Sequence, residues 1–122
     1  MCAIPAAVTT LAAGADVVPA WRNELGGLTF RVGDRFVKWN PRSNGIDLAR
    51  ERVRLEWLAG RHPAPRVISF GGDDEAQWLA TQALPGANAI GESWRRDPAP
   101  AIRAIAAGLR ALHALPVDDM PA

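Results

Sequence analysis

Alternating apolar and polar residues predict an antiparallel sheet in the first forty residues of the chain. Leu28, Phe30 and Val32 are separated by polar residues, which is the period of a strand with one buried face. Gly33-Asp34 follows, a pair typical of a two-residue hairpin turn, and an apolar run then predicts the returning strand. The predicted elements are a short helix over 5–13, which Gly14 ends, and strands over 17–22, 28–32 and 36–39.

The rest of the pattern predicts a helix, two strands and a second, longer helix. Asp47 is a favourable N-cap, and leucines recur behind it at helical spacing until Gly60. The predicted elements are a helix over 47–59, strands over 66–70 and 77–83, and a helix over 98–115 with Asp97 as its N-cap. This order is typical of an α+β fold, in which one helix packs beside an antiparallel sheet of about five strands.

Two charged residues interrupt the apolar pattern. Lys38 shares a face with Phe36 on its predicted strand, and Glu51 lies on the leucine stripe of the helix that follows, while the neighbouring arginines 50, 52 and 54 point outward. An isolated buried charge is costly, so a lysine and a glutamate that face one interior would offset each other. Alternatively, Lys38 lies on the solvent face and Glu51 at the helix edge. Lys38 is the only lysine among 14 cations, which favours the pair.

Composition narrows the class of protein. The 122 residues are 48% hydrophobic and 22% charged, which excludes a disordered chain, and no apolar stretch is long enough to span a membrane. A net charge of +1 argues against an arginine-rich nucleic-acid binder. The single cysteine, Cys2, excludes an internal disulfide. Since no export signal is present, we expect a cytoplasmic protein with no nucleic-acid or membrane partner.

Other candidate residues have simple structural explanations. The Gly26-Gly27 pair lies between two predicted strands, where backbone N–H groups can cover phosphates but where a tight turn is commoner. It belongs to neither a P-loop nor a G-x-G-x-x-G motif. His62 lies in a proline-containing loop, and His113 lies at a helix end, where it suits the helix dipole. The acidic run 73–75 is typical of a solvated turn, so no metal site is predicted.

Several short segments are recognisable by their order and spacing. They are N-E-L-G-G-L-T-F-R-V, F-V-K-W, L-A-R-E-R-V-R-L-E-W-L-A-G, P-A-P-R-V, W-L-A-T-Q-A-L-P-G and, near the end, A-A-G-L-R-A-L-H-A-L-P. Together they resemble the aminoglycoside phosphotransferases of the 3′ type, which have a kinase-like fold, over residues 17–117. The resemblance implies an N-terminal segment (1–16), a nucleotide-binding N-terminal lobe (17–84), a hinge and connector (85–97), and the first helix of a C-terminal lobe with its tail (98–122).

The resemblance also implies an ATP site in the lobe. Lys38 resembles the lysine that holds the α- and β-phosphates, and Glu51 resembles its ion-pair partner. The turn over 23–28 resembles the loop that covers the phosphates, with the backbone N–H groups of Gly26 and Gly27 as the contacts.

The adenine contacts are implied in the same way. Thr81 and Ala83 resemble the hinge positions whose backbone groups pair with the adenine edge. The residues expected to line the purine pocket are Val37, Leu79 and Ala80.

The implied reaction is transfer of the ATP γ-phosphoryl group to a sugar hydroxyl of an aminoglycoside antibiotic, with Mg²⁺ as a further cofactor. The family's H-G-D…N catalytic loop has no match, because His62 is followed by Pro63 and His113 by Ala114. We therefore expect a truncated gene product, a fragment or one half of a two-chain enzyme, which has no catalytic or metal-binding residues and is inactive by itself.

The apolar pattern of the last predicted helix also indicates an interaction. The apolar stripe of the 98–115 helix normally needs a C-terminal lobe to cover it, so we expect the stripe to be exposed and to cause self-association or low solubility. The alternative function is a non-catalytic protein-interaction module built on the same scaffold.

Overall fold

The computed structural model describes residues 3–85 and 91–121, and within them the chain forms five strands and four α-helices. The strands are β1 (Val18–Arg22), β2 (Leu28–Val32), β3 (Arg35–Pro41), β4 (Val67–Gly72) and β5 (Ala76–Gln82). The helices are α1 (Ala6–Ala12), α2 (Leu48–Leu58), α3 (Glu92–Arg96) and α4 (Ala99–His113), and a 3-10 turn covers Arg42–Asn44. The predicted connector over 85–97 lies partly outside the described residues.

The strands form one antiparallel sheet in the order β1-β2-β3-β5-β4, which confirms the predicted α+β class. Gly33 and Asp34 connect β2 to β3, and Gly33 takes the positive φ of 61° that such a short turn requires. In this register Thr29 lies opposite Lys38, and Lys38 lies opposite Leu79 of β5. These three residues therefore share one face of the sheet.

The opposite face is covered by α1 and forms the hydrophobic core. Val8 and Val37 have no exposed surface, and Ala80 lies beside them, so the predicted purine-pocket roles of Val37 and Ala80 are wrong. The reason is strand geometry: Val37 is adjacent to Lys38 and must point to the other side of the sheet. Leu79 does share the face of Lys38, where it is buried.

The face that carries Lys38 is covered by α2, which has the predicted start and end. The Asp47 side chain accepts from the Ala49 N–H at 3.0 Å, and Gly60 adopts a φ of +79° just beyond the last turn. The expected outward direction of Arg52 is wrong. Its guanidinium lies 4.8 Å from the centre of the Phe70 ring, so this arginine packs on β4.

The last helix, α4, is poorly buried, as predicted. The exposed fractions of Ile102, Ile105, Leu109 and Leu112 are 62%, 55%, 48% and 37%. The N-cap is Pro98 and not the predicted Asp97, and the short α3 before it was not predicted.

Polar contacts tie the tail behind α4 to the end of α2. Asp119 accepts from the Trp57 indole N–H at 3.2 Å and from Arg61 at 3.1 Å. In the described part of the chain, the helices are too short or too polar to cross a membrane.

Substituting Val8→Ala tests whether α1 belongs to the folded core. Removing two buried methyl groups should lower the free energy of unfolding by about 2 kcal/mol. The matched control is Thr9→Ala, because Thr9 is the exposed neighbour on the same helix and should change the stability by at most about 0.5 kcal/mol. Urea unfolding followed by tryptophan fluorescence measures both. Equal effects of the two substitutions would show that α1 is not packed on the sheet.

Candidate functional site

A salt bridge joins the sheet to α2 at the predicted pair of residues. The Nζ of Lys38 lies 2.6 Å from the Oε1 of Glu51, which confirms the predicted contact. The expected burial of the pair is wrong, because the two side chains are 47% and 36% exposed. The pair lies at the open side of a cleft, where solvent lowers the cost of the charges and leaves room beside the ammonium group.

The position of Glu51 depends on how α2 is attached to β5. The buried side chain of Gln77 accepts from the Leu48 N–H at 2.9 Å and donates to the Asp47 carboxylate at 3.0 Å. One amide thus binds both the N-cap and the first residue of α2. Glu51 follows one turn later, which places its carboxylate over β3.

The same hydrogen bonds affect the charge at the N-cap. The bond from the Gln77 side chain, and then the bond from the Ala49 N–H, hold the pKa of Asp47 below its usual value. Both bonds favour the ionised carboxylate, and the negative charge suits the N-terminus of α2.

A cleft of about 240 Å³ lies beside the salt bridge. It is enclosed by the loop between β1 and β2, by β3 and by the start of α2, and its lining includes Asn23, Gly27, Thr29, Lys38 and Glu51. The ammonium group of Lys38 thus lies beneath a loop that contains two glycines. Such an arrangement brings a positive charge and a glycine-containing loop to the same small volume, which suits a phosphate group.

The loop between β1 and β2 is closed on Asn23. The Oδ1 of Asn23 accepts from the Leu25 N–H at 2.9 Å and from the Gly27 N–H at 2.8 Å, and its backbone carbonyl accepts from the Gly26 N–H at 3.2 Å. Gly26 has a φ of +91°, and a Cβ on Gly27 would lie 2.4 Å from the Asn23 amide nitrogen. Position 26 therefore requires glycine for its backbone conformation, and a side chain at position 27 would displace the Asn23 amide.

This geometry changes the expectation for the two glycines. Gly27 lines the cleft and Gly26 does not, and the N–H groups of both, expected to contact phosphates, already donate to Asn23. Asn23 itself was not among the predicted site residues. An asparagine that precedes a glycine pair in a hairpin loop is typical of a side chain that accepts from the next backbone N–H groups, and this was the available signal.

The predicted adenine contacts lie away from this cleft. Thr81 is opposite Phe36 in the sheet, and the Ala83 N–H donates to the carbonyl of Asp34 at 2.8 Å. The backbone N–H of Gln82 donates to the carbonyl of Arg66, on the β4 side. Because the backbone groups of successive strand residues point to alternate sides, those of Thr81 and Ala83 point to the β3 side. The backbone N–H of Ala83 is thus already engaged by the turn between β2 and β3.

Sequence comparisons with known proteins all indicate the same family. The family model of the phosphotransferase enzymes matches residues 9–122. An aminoglycoside 3′-phosphotransferase of Streptomyces fradiae is 46% identical over 83 residues, which are 66% of this chain and 31% of the relative. One from Escherichia coli is 36% identical over 88 residues, which are 70% of this chain and 32% of the relative.

A solved structure agrees with these sequence matches. The crystal structure of an aminoglycoside-3′-phosphotransferase of type VIII superposes with a TM-score of 0.72 and 31% sequence identity. The superposition covers 94% of this chain and 46% of that structure. The chain spans about a third of the length of the curated relatives it matches.

The pH dependence of stability should reveal the role of Asp47. Because the pKa of Asp47 is lowered in the folded state, its contribution to stability is present above the ordinary value of 3.8 and is lost as the pH falls through the lowered pKa. Wild type should therefore have a higher Tm than Asp47→Asn at pH 7, and the difference should close near pH 2.

Asp16→Asn, at an exposed position before β1, is the matched control for the removal of one carboxylate. Circular dichroism melts of the three proteins across this pH range provide the measurement. A Tm difference between wild type and Asp47→Asn that stays constant with pH would show that the charge of Asp47 does not stabilise α2.

Proposed function

Because the chain belongs to the phosphotransferase enzyme family, we propose that it is the ATP-binding lobe of a kinase that phosphorylates a sugar hydroxyl of an aminoglycoside antibiotic. The observation that carries this proposal is the contact of 2.6 Å between Lys38 on β3 and Glu51 on α2. A lysine on a strand that pairs with a glutamate on the adjacent helix is the arrangement by which kinase-like enzymes hold nucleotide phosphates. The names of the relatives from Streptomyces fradiae and Escherichia coli support the substrate class.

In the proposed site Lys38 provides the charge and Glu51 directs it. The carboxylate of Glu51 accepts one N–H of the ammonium group, which leaves its other donors for phosphate oxygens. The cleft lies on the exposed side of this pair, so a phosphate chain can approach the ammonium without displacing the glutamate. Charge neutralisation and positioning are the main contributions that a protein makes to phosphoryl transfer.

The backbone contacts of the proposed site need local rearrangement. Phosphate oxygens would take the N–H groups of Gly26 and Gly27 only by replacing the oxygens of Asn23. An adenine edge at Thr81 and Ala83 would likewise need the Ala83 N–H to leave the carbonyl of Asp34. Lys38 is thus the proposed ligand that is available in the present arrangement.

No group of three or more His, Cys, Asp or Glu side chains in residues 3–85 and 91–121 is placed to hold a metal ion. We therefore assign no residue of this chain to Mg²⁺ and derive no step through it. The 122 residues also contain no H-G-D…N segment, so the proposed role of the chain is binding of the nucleotide.

Substituting Lys38→Ala tests the assignment of the phosphate site. Loss of a charge-assisted hydrogen bond should weaken ATP binding about tenfold, because no second lysine can replace the first. Calorimetric titration with ATP in the presence of Mg²⁺ measures this. Arg103→Ala, which removes an exposed cation from α4, is the matched control and should bind ATP as wild type does. Equal ATP affinity of Lys38→Ala and wild type would refute the site.

Incubation of the same wild-type preparation with ATP, Mg²⁺ and kanamycin separates binding from transfer. We expect no phosphorylated kanamycin by mass spectrometry. Turnover would show that the residues which accept the substrate proton lie within these 122 residues, against the present assignment.

The exposed stripe of α4 favours a second candidate function, a protein-interaction module on the same scaffold, and it generates a prediction about self-association. Wild type should associate in sedimentation velocity at high concentration, because Ile102, Ile105, Leu109 and Leu112 form a continuous exposed apolar surface. Ile105→Glu should reduce this association, whereas Ala107→Glu, on the opposite side of the helix, should not. A wild type that stays monomeric would contradict the prediction.

A further inference from the structure

Two asparagines, of which Asn40 lines the cleft and Asn44 lies behind it, form a closed pair of side-chain amides. Asn44, in the 3-10 turn after β3, donates to the Oδ1 of Asn40 at 2.7 Å, and the Nδ2 of Asn40 donates back to the Oδ1 of Asn44 at 3.0 Å. Asn40 is 3% exposed and Asn44 is half-buried, so the Asn40 amide is withdrawn from water. A buried amide is stable only where its hydrogen-bonding groups are paired, and here each asparagine supplies the partner of the other.

The second hydrogen bonds of Asn44 connect two separate segments. Its Nδ2 also donates to the carbonyl of Leu25, in the middle of the loop between β1 and β2, at 3.1 Å. Its Oδ1 also accepts from the Ile46 N–H at 2.9 Å, just before α2 begins. All four hydrogen-bonding positions of this one side-chain amide are therefore used. Among the standard amino acids, no other side chain of this size offers two N–H donors and two acceptor lone pairs on one planar group.

The amide pair relates the loop directly to the lysine. Asn40 follows Lys38 by two residues on β3, so the two side chains leave the same face of one strand. The loop also packs on this strand, because a Cβ on Gly26 would lie 3.7 Å from the ring of Pro41. The hydrogen bonds from Asn40 to Asn44 and from Asn44 to Leu25 therefore attach the loop to the strand that carries Lys38.

We infer that Asn44 is a positioning residue, which holds the loop between β1 and β2 over Lys38 and thereby shapes the space for the phosphates of a nucleotide. This inference rests on the proposed function. Asn44 does not line the cleft, so it acts through the loop and not on the ligand. Its loss should weaken binding of the phosphates and leave binding of the nucleoside unchanged.

The test compares ATP with adenosine on the purified 122-residue chain, using NMR titrations. Asn44→Ala should lower the affinity for ATP about tenfold and change the affinity for adenosine less than about twofold. In the free protein, hydrogen exchange of the Leu25 and Gly27 amides should become about tenfold faster.

The matched control is Asp73→Ala. Asp73 accepts from the Glu75 and Ala76 N–H groups at 2.8 and 2.9 Å, and so braces the turn between β4 and β5 in a similar way. This variant should leave the ratio of ATP affinity to adenosine affinity at the wild-type value. A general loss of stability would change both ligands alike, so the ratio separates positioning from folding.

A second variant keeps the inference testable if Asn44→Ala does not fold. Asn44→Asp retains the volume and the acceptor for the Ile46 N–H but has no N–H to donate to Leu25. It should speed exchange of the Leu25 and Gly27 amides while the Ile46 amide stays protected. Wild-type exchange at Leu25 and Gly27 in this variant would overturn the inference.

The remaining outcomes are also decisive. If Asn44→Ala leaves the ratio of ATP affinity to adenosine affinity at the wild-type value, whether or not both affinities fall, the positioning role is overturned while the proposed function stands. If wild type itself binds ATP no more tightly than adenosine, the proposed function fails before any variant is considered, and the inference falls with it.

Discussion

The contact between Lys38 and Glu51 requires a strand and a helix to be placed together, and most of the described structure serves that placement. The pair contributes little stability itself, because a half-exposed salt bridge is screened by solvent. The stability comes from buried apolar side chains, which include Val8 of α1 and Val37 of β3 on the other face of the sheet and Leu79 on the face of Lys38. Burying Val37 on one face necessarily presents Lys38 on the other, so the core and the charged site are two consequences of one strand register.

Two uncharged side-chain amides hold in place the segments on either side of the salt bridge. Gln77 attaches the start of α2 to β5, and Asn44 attaches the loop between β1 and β2 to the end of β3. An amide has both donors and acceptors, so one side chain can bind a backbone carbonyl of one segment and an N–H of another. Directional contacts of this kind restrict angle as well as distance. Glu51 and the loop are consequently held from two sides of Lys38 by groups that carry no charge to compete with a phosphate.

The period of apolar residues predicted the strands, the hairpin turn at Gly33 and α2, because these features depend on neighbours in sequence. The contact of Lys38 with Glu51 was also predictable, since each residue interrupts an apolar stripe. The face covered by each helix was not, because a period of two shows that faces alternate but not what lies on them. Partners distant in sequence were missed for a related reason: the bond from Ala83 to Asp34 and that from Asn44 to Leu25 depend on how separate turns meet.

The helix α4 is weakly attached to the rest of the chain, and the interactions that hold it differ from those that form the cleft. Only Ala101 of this helix is buried, and the tail behind it is held by Asp119 through exposed contacts with Trp57 and Arg61. Exposed ion pairs of this kind contribute little, whereas the salt bridge and both amides lie on elements packed against the sheet. Another protein surface can therefore bind to or leave the apolar stripe of α4 without a change in the position of Lys38. The proposed association through the stripe and the proposed nucleotide binding at the cleft would accordingly depend on different interactions of one chain, and a substitution in one region should leave the other unchanged.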